Sequence, residues 1–303
     1  MAKLSGIPLD DWFVQGLEFN YRGYSTRYWT AGTGEPLLLI HGFPSGSWDW
    51  HYLWHSLSER YRVIAVDMMG FGFSAKPRAY AYSLLDQADL LQEVLLHLGV
   101  EQYHILAHDY GDSVAQELLA RELSAQRRMR SVCFLNGGLF PETHHPVRMQ
   151  KLLMSPIGFL LGRFYKRENL EQAFNKIFGP QTKPSELELD GFWRLLEHNN
   201  GPRVMHLLIH YIAERRAQRD RWLAAMQAYE VPMRVIDGAV DPVSGAHMVE
   251  RYRELIEQPD TVLLGSIGHY PQVEAPELVL KHYLAFRAAC ATSAPAEAVA
   301  APV

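Results

Sequence analysis

The sequence predicts an α/β fold: a mostly parallel central sheet flanked by helices, with a helical lid inserted between two of its strands. Two observations predict this fold. Short apolar strand candidates alternate with helical patterns through most of the 303 residues. From about 139 to 228 that alternation stops, and aromatic helical stretches such as 191–196 replace it. An all-helical block between two sheet strands is typical of a lid over an active site.

The chain therefore divides into four segments. Residues 1–138 and 229–290 form the core, and residues 139–228 form the lid. The segment 291–303 is rich in alanine and proline and low in complexity, so we expect a disordered tail there.

Apolar runs and end signals define the first core elements. Residues 37–40 and 62–66 predict two buried strands. A helix follows over 83–98, because Ser83 offers an N-cap, apolar residues recur at helical spacing, and Gly99 ends it.

The remaining core elements keep the alternating order. They are strand 102–107, helix 111–123 and strand 131–135 before the lid, then strand 233–236, helix 245–257, strand 261–264 and a helix from about 276.

Composition limits the partners and the compartment. The formal net charge is −5, which gives no reason to expect nucleic acid or an anionic membrane as partner. The chain starts without an apolar run long enough for a secretion signal, and no stretch is long enough to span a bilayer. Only Cys133 and Cys290 are present, so a disulfide framework is not expected and a cytoplasmic setting fits best.

The run 107–112, Ala-His-Asp-Tyr-Gly-Asp, is the most informative feature of the chain. A small residue at 107 and Gly111 permit a sharp strand-to-helix turn that exposes the residue between them, which is usually serine and is Asp109 here. A carboxylate at that apex attacks a saturated carbon, such as an epoxide or alkyl halide carbon, and forms an ester. The alternative is that Asp109 only caps the following helix.

A nucleophile of this kind needs a base and an acid that orients the base, in the chain order nucleophile, acid, histidine. Asp241 lies in the loop after strand 233–236, and His269 follows Gly268 in the loop after strand 261–264. We predict that Asp241 orients His269. Asp237 is the competing acid, but it lies closer to its strand.

Two backbone amides are expected to form an oxyanion hole. One is the amide of Tyr110, directly after the nucleophile, and the other is that of Phe43, in the loop after strand 37–40. We expect His41 to brace that loop and His108 to be a framework residue beneath the turn.

Other charged and histidine-rich segments carry no functional prediction. The pairs His51/His55 and His206/His210 have helical spacing but no third ligand, so no metal is expected. Phosphate-binding and dinucleotide motifs are absent, so no cofactor is expected. A cluster of arginines with interspersed acids is expected to form a solvated helix face; its members are Arg215, Arg216, Arg219 and Arg221.

The chain resembles the α/β-hydrolase superfamily, and within it the epoxide hydrolase and haloalkane dehalogenase branch. The resemblance rests on the aspartate turn, on Gly268-His269, and on the runs His41-Gly-Phe-Pro44 and Asp67-x-x-Gly70-x-Gly72-x-Ser74. A closer resemblance is to hydrolases like the mesoderm-specific transcript protein. It is carried by the runs 108–119, 136–143, 178–180 and 269–272.

The resemblance distinguishes the chemistries of this branch. Haloalkane dehalogenases typically hold the halide with a tryptophan after the nucleophile and a second donor, often asparagine, after the His-Gly; here these positions are Tyr110 and Phe43. Fluoroacetate dehalogenases typically place arginines beside the aspartate to hold a carboxylate. The residue beside Asp109 here is Tyr110, which is not an arginine. Epoxide hydrolases use His-Gly-Phe-Pro, as here, and protonate the epoxide oxygen with lid tyrosines. By that resemblance Tyr211 is the first candidate acid and Tyr165 the second.

These observations favour an epoxide hydrolase with a small apolar substrate. Aromatic side chains that are candidates to line an apolar pocket, although each could equally pack in the core, are Trp48, Phe192, Trp193 and Trp222. The same triad could instead act on an alkyl halide, a lactone or an activated ester, and a non-catalytic ligand-binding protein is a further alternative. A homodimer is left open.

Overall fold

The computed structural model describes residues 4–123, 127–146, 148–155 and 157–293. Within them, eight strands form one sheet in the order β1-β2-β4-β3-β5-β6-β7-β8. The strands are β1 (Leu17–Tyr21), β2 (Tyr24–Ala31), β3 (Glu35–Ile40), β4 (Tyr61–Asp67), β5 (Tyr103–His108), β6 (Met129–Leu135), β7 (Met233–Gly238) and β8 (Thr261–Leu264). The pairs of β2 with β1 and β4 are antiparallel, and the other pairs are parallel. The prediction of a mostly parallel sheet is confirmed.

Helices cover the sheet. Those of the core are α1 (Leu9–Gln15), α2 (Trp54–Ser58), α3 (Leu84–His97), α4 (Tyr110–Glu122), α11 (Ala246–Leu255), α12 (Pro271–Glu274) and α13 (Pro276–Ser293). Between β6 and β7 lie α5 (Arg148–Leu153), α6 (Gly158–Leu161), α7 (Arg167–Ile177), α8 (Glu186–Glu197), α9 (Met205–Leu208) and α10 (Tyr211–Ala228). Three short 3₁₀ helices are Ser47–Trp50, Pro141–Thr143 and His198–Arg203.

The central strands are buried on both faces, which explains why they read as continuous apolar runs. Every residue of β5 is buried, and β3 is buried from Leu37 to its end. The helix predicted over 83–98 is α3, in which the Ser83 side chain accepts a hydrogen bond from the amide of Asp86, and Gly99 follows with φ +65°.

The N-terminal hairpin of β1 and β2 was not predicted from the sequence. Its two-residue turn consists of Arg22 and Gly23, both with positive φ, between the paired residues Tyr21 and Tyr24. Arginine is an uncommon residue at a positive φ, so the usual Asn-Gly signal of such a turn is missing.

At the other end of the chain, α13 continues to Ser293, three residues into the segment expected to be disordered. The rest of that predicted tail, 294–303, lies outside the described residues. No helix among the residues that the structure describes is long and apolar enough to cross a membrane.

The helices of 139–228 are joined to the core next to the candidate site, among other places. The helix α10 packs across α4, which starts at the predicted nucleophile turn. Lys76, which is buried, donates hydrogen bonds to the carbonyls of Gly72 in the core and of Leu195 (3.1 Å) and His198 (2.8 Å) at the end of α8. This part of the fold is thereby held over the carboxyl ends of the parallel strands, where open α/β sheets bind their ligands.

Candidate active site

Asp109 lies at a strained turn between β5 and α4. Its φ of 47° and ψ of −104° belong to a region that residues with a side chain rarely adopt. Gly111 makes the turn possible, because a Cβ there would collide with the carbonyl oxygens of Ile40 and His41 at the end of β3. The Asp109 side chain makes no cap hydrogen bond to α4, so the alternative that it merely caps the helix is wrong.

The Asp109 carboxylate is buried and is contacted from three sides. Its Oδ2 accepts a hydrogen bond from the amide of Phe43 (3.1 Å) and lies 3.9 Å from Nε2 of His269. Its Oδ1 lies 3.4 Å from Nη2 of Arg215. Burial alone would raise the pKa of this carboxyl, but His269 and then Arg215 hold it well below its usual range. The ionised form of Asp109 is therefore favoured, which its predicted role as a nucleophile requires.

His269 lies between two carboxylates. Its Nδ1 is 2.8 Å from Oδ2 of Asp241, and its own amide donates to the carbonyl of Ile177 at the end of α7. Burial would lower the pKa of His269, but Asp241 and Asp109 together raise it well above the ordinary value. The structure thus brings together the three side chains that the sequence predicted as a triad.

The acid beside His269 is Asp241, and Asp237 is directed elsewhere. Asp237 accepts a hydrogen bond from the amide of Asn136 at 2.6 Å, and burial raises its pKa well above the usual range. Asp241 instead accepts from the amide of Val243 at 2.8 Å and from Nδ2 of Asn136 at 3.0 Å. Burial opposes its charge, but His269 and these donors keep the pKa of Asp241 below its ordinary value.

Asn136 is a positioning residue that sequence reasoning missed. It follows β6 with φ +43°, and its side chain also accepts from the amide of Gly238 at 2.7 Å. It therefore joins the end of β6 to the loop that carries Asp241. An asparagine directly after a predicted strand, before Gly137-Gly138, was the available signal.

The two predicted oxyanion-hole residues flank the nucleophile. The Phe43 amide already contacts Asp109. Tyr110 is the first residue of α4, so its N–H belongs to the amides that a helix leaves without an internal acceptor. Below them, Nδ1 of His41 lies 2.8 Å from the carbonyl of Gly42, and Nε2 of His108 lies 2.7 Å from that of His269. Both histidines brace loops, as expected.

The prediction of a solvated arginine face is wrong for Arg215. This side chain is 1% exposed, because α10 packs against α4 and turns it into the site. Its Nε donates to Oγ of Ser113 at 2.6 Å, and its Nη2 donates to the backbone carbonyl of Asp109 at 2.9 Å. Arg215 therefore holds both the strained backbone and the charge of Asp109, a role that a mixed-charge helix sequence does not reveal.

Both predicted lid tyrosines lie near the nucleophile. Tyr211, at the start of α10, is buried against the rings of Phe43 and Tyr110, with centroids 5.9 and 5.1 Å away. Burial, and after it the charge of Asp109, raises the pKa of Tyr211; burial also raises that of Tyr165. Both phenols therefore keep their protons at neutral pH.

A cavity of about 690 Å³ opens onto Asp109 and His269. Tyr165 and Gln150 line it, and Gln150 also donates a hydrogen bond to the Tyr211 hydroxyl at 3.2 Å. Most of its other walls are apolar and include Phe43, Leu170, Phe174, Ile177, Met205 and Val243. The cavity suits a small, mainly apolar substrate.

The four aromatic residues predicted to line the pocket are not among the described residues that line this cavity, so that prediction is wrong. Trp48 stacks on His51 and donates to the carbonyl of Ile7, and Trp222 donates to Glu117 at 2.9 Å. Phe192 lies behind Phe174, and Trp193 stacks on Tyr165. These large aromatic side chains pack between other elements of the fold, and residues of α7 form much of the cavity wall instead. Among the described residues no group of three or more His, Cys, Asp or Glu side chains could hold a metal ion.

Comparison with known proteins gives consistent relatives. The profile of the family described as alpha/beta hydrolase fold matches residues 35–276. The mouse mesoderm-specific transcript protein is 39% identical over 92% of this chain and 87% of its own length. The putative hydrolase LipZ of Mycobacterium tuberculosis is 38% identical over 82% of this chain and 87% of its own.

More distant relatives include enzymes with named activities. The soluble epoxide hydrolase of Corynebacterium is 25% identical over 87% of this chain and 94% of its own length. Haloalkane dehalogenase 2 of Mycobacterium bovis is 29% identical over 52% of this chain and 54% of its own. Among solved structures, a putative lipase from Acinetobacter baumannii covers 97% of this chain and all of its own, with a TM-score of 0.80 at 19% identity, which concerns the fold alone.

The protonation of His269 should depend on Asp109. We expect Asp109→Asn to lower the pKa of His269, because one of the two carboxylates that stabilise the imidazolium is removed. Histidine ring resonances followed by NMR across a pH titration measure this directly. The matched control is Asp237→Asn, which should leave the midpoint in place because the Asp237 carboxyl bonds the Asn136 amide and is not one of the two carboxylates that raise the pKa of His269. An unchanged midpoint in Asp109→Asn would contradict this electrostatic account.

Arg215 should matter for stability as well as geometry. At neutral pH we expect Arg215→Met to lower the free energy of unfolding by about 3–5 kcal/mol, since the buried Asp109 charge loses its partner. The folded-state pKa of Asp109 is depressed, so the pair stabilises the fold while Asp109 is ionised. The loss of unfolding free energy in the variant, relative to the wild type, should therefore become smaller as acid protonates Asp109 in the variant.

Urea unfolding across acidic pH measures this deficit. The control is Arg219→Met on the same helix, whose partly exposed pair with Glu142 should contribute about 1 kcal/mol or less. Equal losses in the two variants would show that Arg215 has no special relation to Asp109.

Proposed function

Since the chain belongs to the α/β-hydrolase fold family, we propose that it is an epoxide hydrolase that works through an alkyl ester of Asp109. The observation that carries the proposal is the carboxylate at the turn after β5, which shares one mainly apolar cavity with His269 and the phenol of Tyr165, while Tyr211 packs behind the wall residue Phe43 and is bonded by the wall residue Gln150. A carboxylate there suits attack on a saturated carbon better than attack on an ester carbonyl.

In the first step Asp109 opens the ring. Its Oδ2 is held by the Phe43 amide, so Oδ1 is the oxygen that attacks the less hindered epoxide carbon. The carbon–oxygen bond of the ring breaks as the ester bond forms. The departing oxygen takes the phenolic proton of Tyr211 or Tyr165 and becomes a hydroxyl, which leaves a phenolate.

Ester formation prepares the base for the second step. It removes the negative charge of Asp109, which is one of the two charges that keep His269 protonated. The pKa of His269 then falls, the imidazolium proton passes to the phenolate left by the first step, and the neutral imidazole, oriented by Asp241, can accept a proton from water.

In the second step the resulting hydroxide attacks the ester carbonyl carbon. Negative charge develops on Oδ2, where the amides of Phe43 and Tyr110 stabilise it. Collapse expels the diol oxygen, which takes the proton from His269. The new carboxylic acid of Asp109 transfers its proton to His269, so every group regains its starting state.

The competing reactions share these residues and differ in the electrophile. The positions that hold a halide in haloalkane dehalogenases are Tyr110 and Phe43, which do not reproduce that halide site. Lactones and activated esters need no phenol beside the nucleophile, and a ligand-binding protein needs no triad. Cys133 and Cys290 are both free, and free cysteines fit the cytoplasm as the compartment.

Isotope transfer tests the covalent step. In a single turnover of styrene oxide in ¹⁸O-water, the hydroxide oxygen should appear in the Asp109 carboxylate, because water attacks the ester carbonyl. Mass spectrometry of the Asp109 peptide measures the label, with Asp112, on the same helix, as internal control. Diol formation without label in that peptide would refute the ester mechanism. Turnover only with haloalkanes or lactones would assign the same residues to another electrophile.

Removal of the phenols should affect ring opening selectively. We expect the double variant Tyr165→Phe/Tyr211→Phe to slow alkylation of Asp109 by about 10²–10⁴-fold, because the epoxide oxygen loses its proton donors. Hydrolysis of ester already formed should change much less. Rapid-quench single turnovers separate the two steps, and Tyr82→Phe, which removes a phenol bonded to the Pro77 carbonyl, is the control. Alkylation at the wild-type rate would mean that another group protonates the oxygen.

A further inference from the structure

The outer surface of α5 and α6 concentrates exposed apolar side chains. Six of the thirteen large apolar side chains that are exposed among the described residues lie between positions 152 and 164. We call these six residues the lid patch: Leu152, Met154, Ile157, Phe159, Leu160 and Phe164. Monomeric soluble proteins rarely leave so much apolar surface together, and such a patch usually marks an interaction site.

Two glycines orient the lid patch outward. A Cβ on Gly158 would collide with the carbonyl of Leu153, and one on Gly162 with that of Pro202, so α6 packs inward through its glycine side. The large side chains between and after these glycines are left to the outside, where Phe159 is 56% and Phe164 75% exposed. Their exposure therefore follows from how the helix packs.

Exposed basic residues lie along the segment that carries the lid patch. Lys151, Arg163 and Lys166 are exposed beside it, and no acidic residue occurs between Glu142 and Glu168. The whole chain, in contrast, has a net charge of −5. The net charge argued against an anionic membrane as partner, but the charge of this segment has the opposite sign.

The lid patch adjoins the entrance of the catalytic cavity. Gln150, in α5, and Tyr165, directly after Phe164, both line that cavity. The segment that carries the lid patch therefore also forms part of the wall of the cavity that contains Asp109.

We propose that the lid patch docks this protein on an anionic phospholipid surface. Such surfaces bind proteins that combine apolar side chains, which enter the interface, with neighbouring lysine and arginine side chains. A second copy of the chain is a poorer occupant, because a two-fold interface would place the basic residues of one copy next to the same basic residues of the other. Binding does not require the proposed chemistry, and Asp109→Asn should bind as the wild type does.

Vesicle flotation tests the docking. The full-length protein should bind phosphatidylcholine vesicles that contain phosphatidylglycerol, bind pure phosphatidylcholine vesicles more weakly, and lose affinity as salt is added. We expect Phe159→Ser/Phe164→Ser and, separately, Lys151→Glu/Arg163→Glu each to weaken binding about tenfold or more. The two variants remove different contributions, so a folding defect in one leaves the other as a test.

Matched controls lie elsewhere on the surface. Leu96→Ser removes a side chain as exposed as Phe164, and Lys281→Glu reverses an exposed charge on α13; neither should change binding. Failure of the wild type to bind anionic vesicles would overturn the proposal. So would equal losses in the controls, or light scattering that shows a dimer which Phe159→Ser/Phe164→Ser dissociates while vesicle binding is unchanged.

Discussion

The structure depends on keeping one buried carboxylate ionised at a strained turn. Asp109 has lost nearly all contact with solvent, and burial by itself favours its neutral form. Three donors from separate parts of the chain compensate: the Phe43 amide after β3, the guanidinium of Arg215 from α10, and His269 after β8. The sheet and α10 bring these three donors to the same point. The fold can therefore be understood as the support for the charge of Asp109.

The same electrostatics separates the acids of the site into two kinds. Asp109 and Asp241 face His269 and stay ionised, whereas burial raises the pKa values of Asp112 and Asp237 well above the usual range. Four carboxyl groups close together could not all carry charge in a dry interior. Burial of Asp112 and Asp237 therefore favours their protonated forms, which reduces the repulsion that they exert on Asp109 and Asp241.

The chain order of the triad and the alternation of strands were readable from the sequence, because local patterns encode them. Asp109 stands in a turn with a residue-by-residue signature, and His269 and Asp241 each follow a predicted strand. Arg215 was not readable, because mixed charges along a helix look solvated until a second helix buries one of them. The prediction of the aromatic pocket residues was wrong for the converse reason. An apolar side chain can face the core or the cavity, and only the packing of the helices decides which.

Most of the wrong predictions concern one part of the chain, although Trp48 and the unpredicted hairpin of β1 and β2 belong to the core. The helices and loops between β6 and β7 place Arg215 against Asp109, Tyr165 in the wall of the cavity, Tyr211 against Phe43, and the Ile177 carbonyl against the His269 amide. Their contribution is therefore electrostatic and positional as well as protective. A displacement of α10 would remove Arg215 and Tyr211 together, so the charge on Asp109 and the donor for the opening ring are coupled through one helix. Without this insertion, the sheet would present a triad with neither the countercharge nor the acid that the proposed reaction needs.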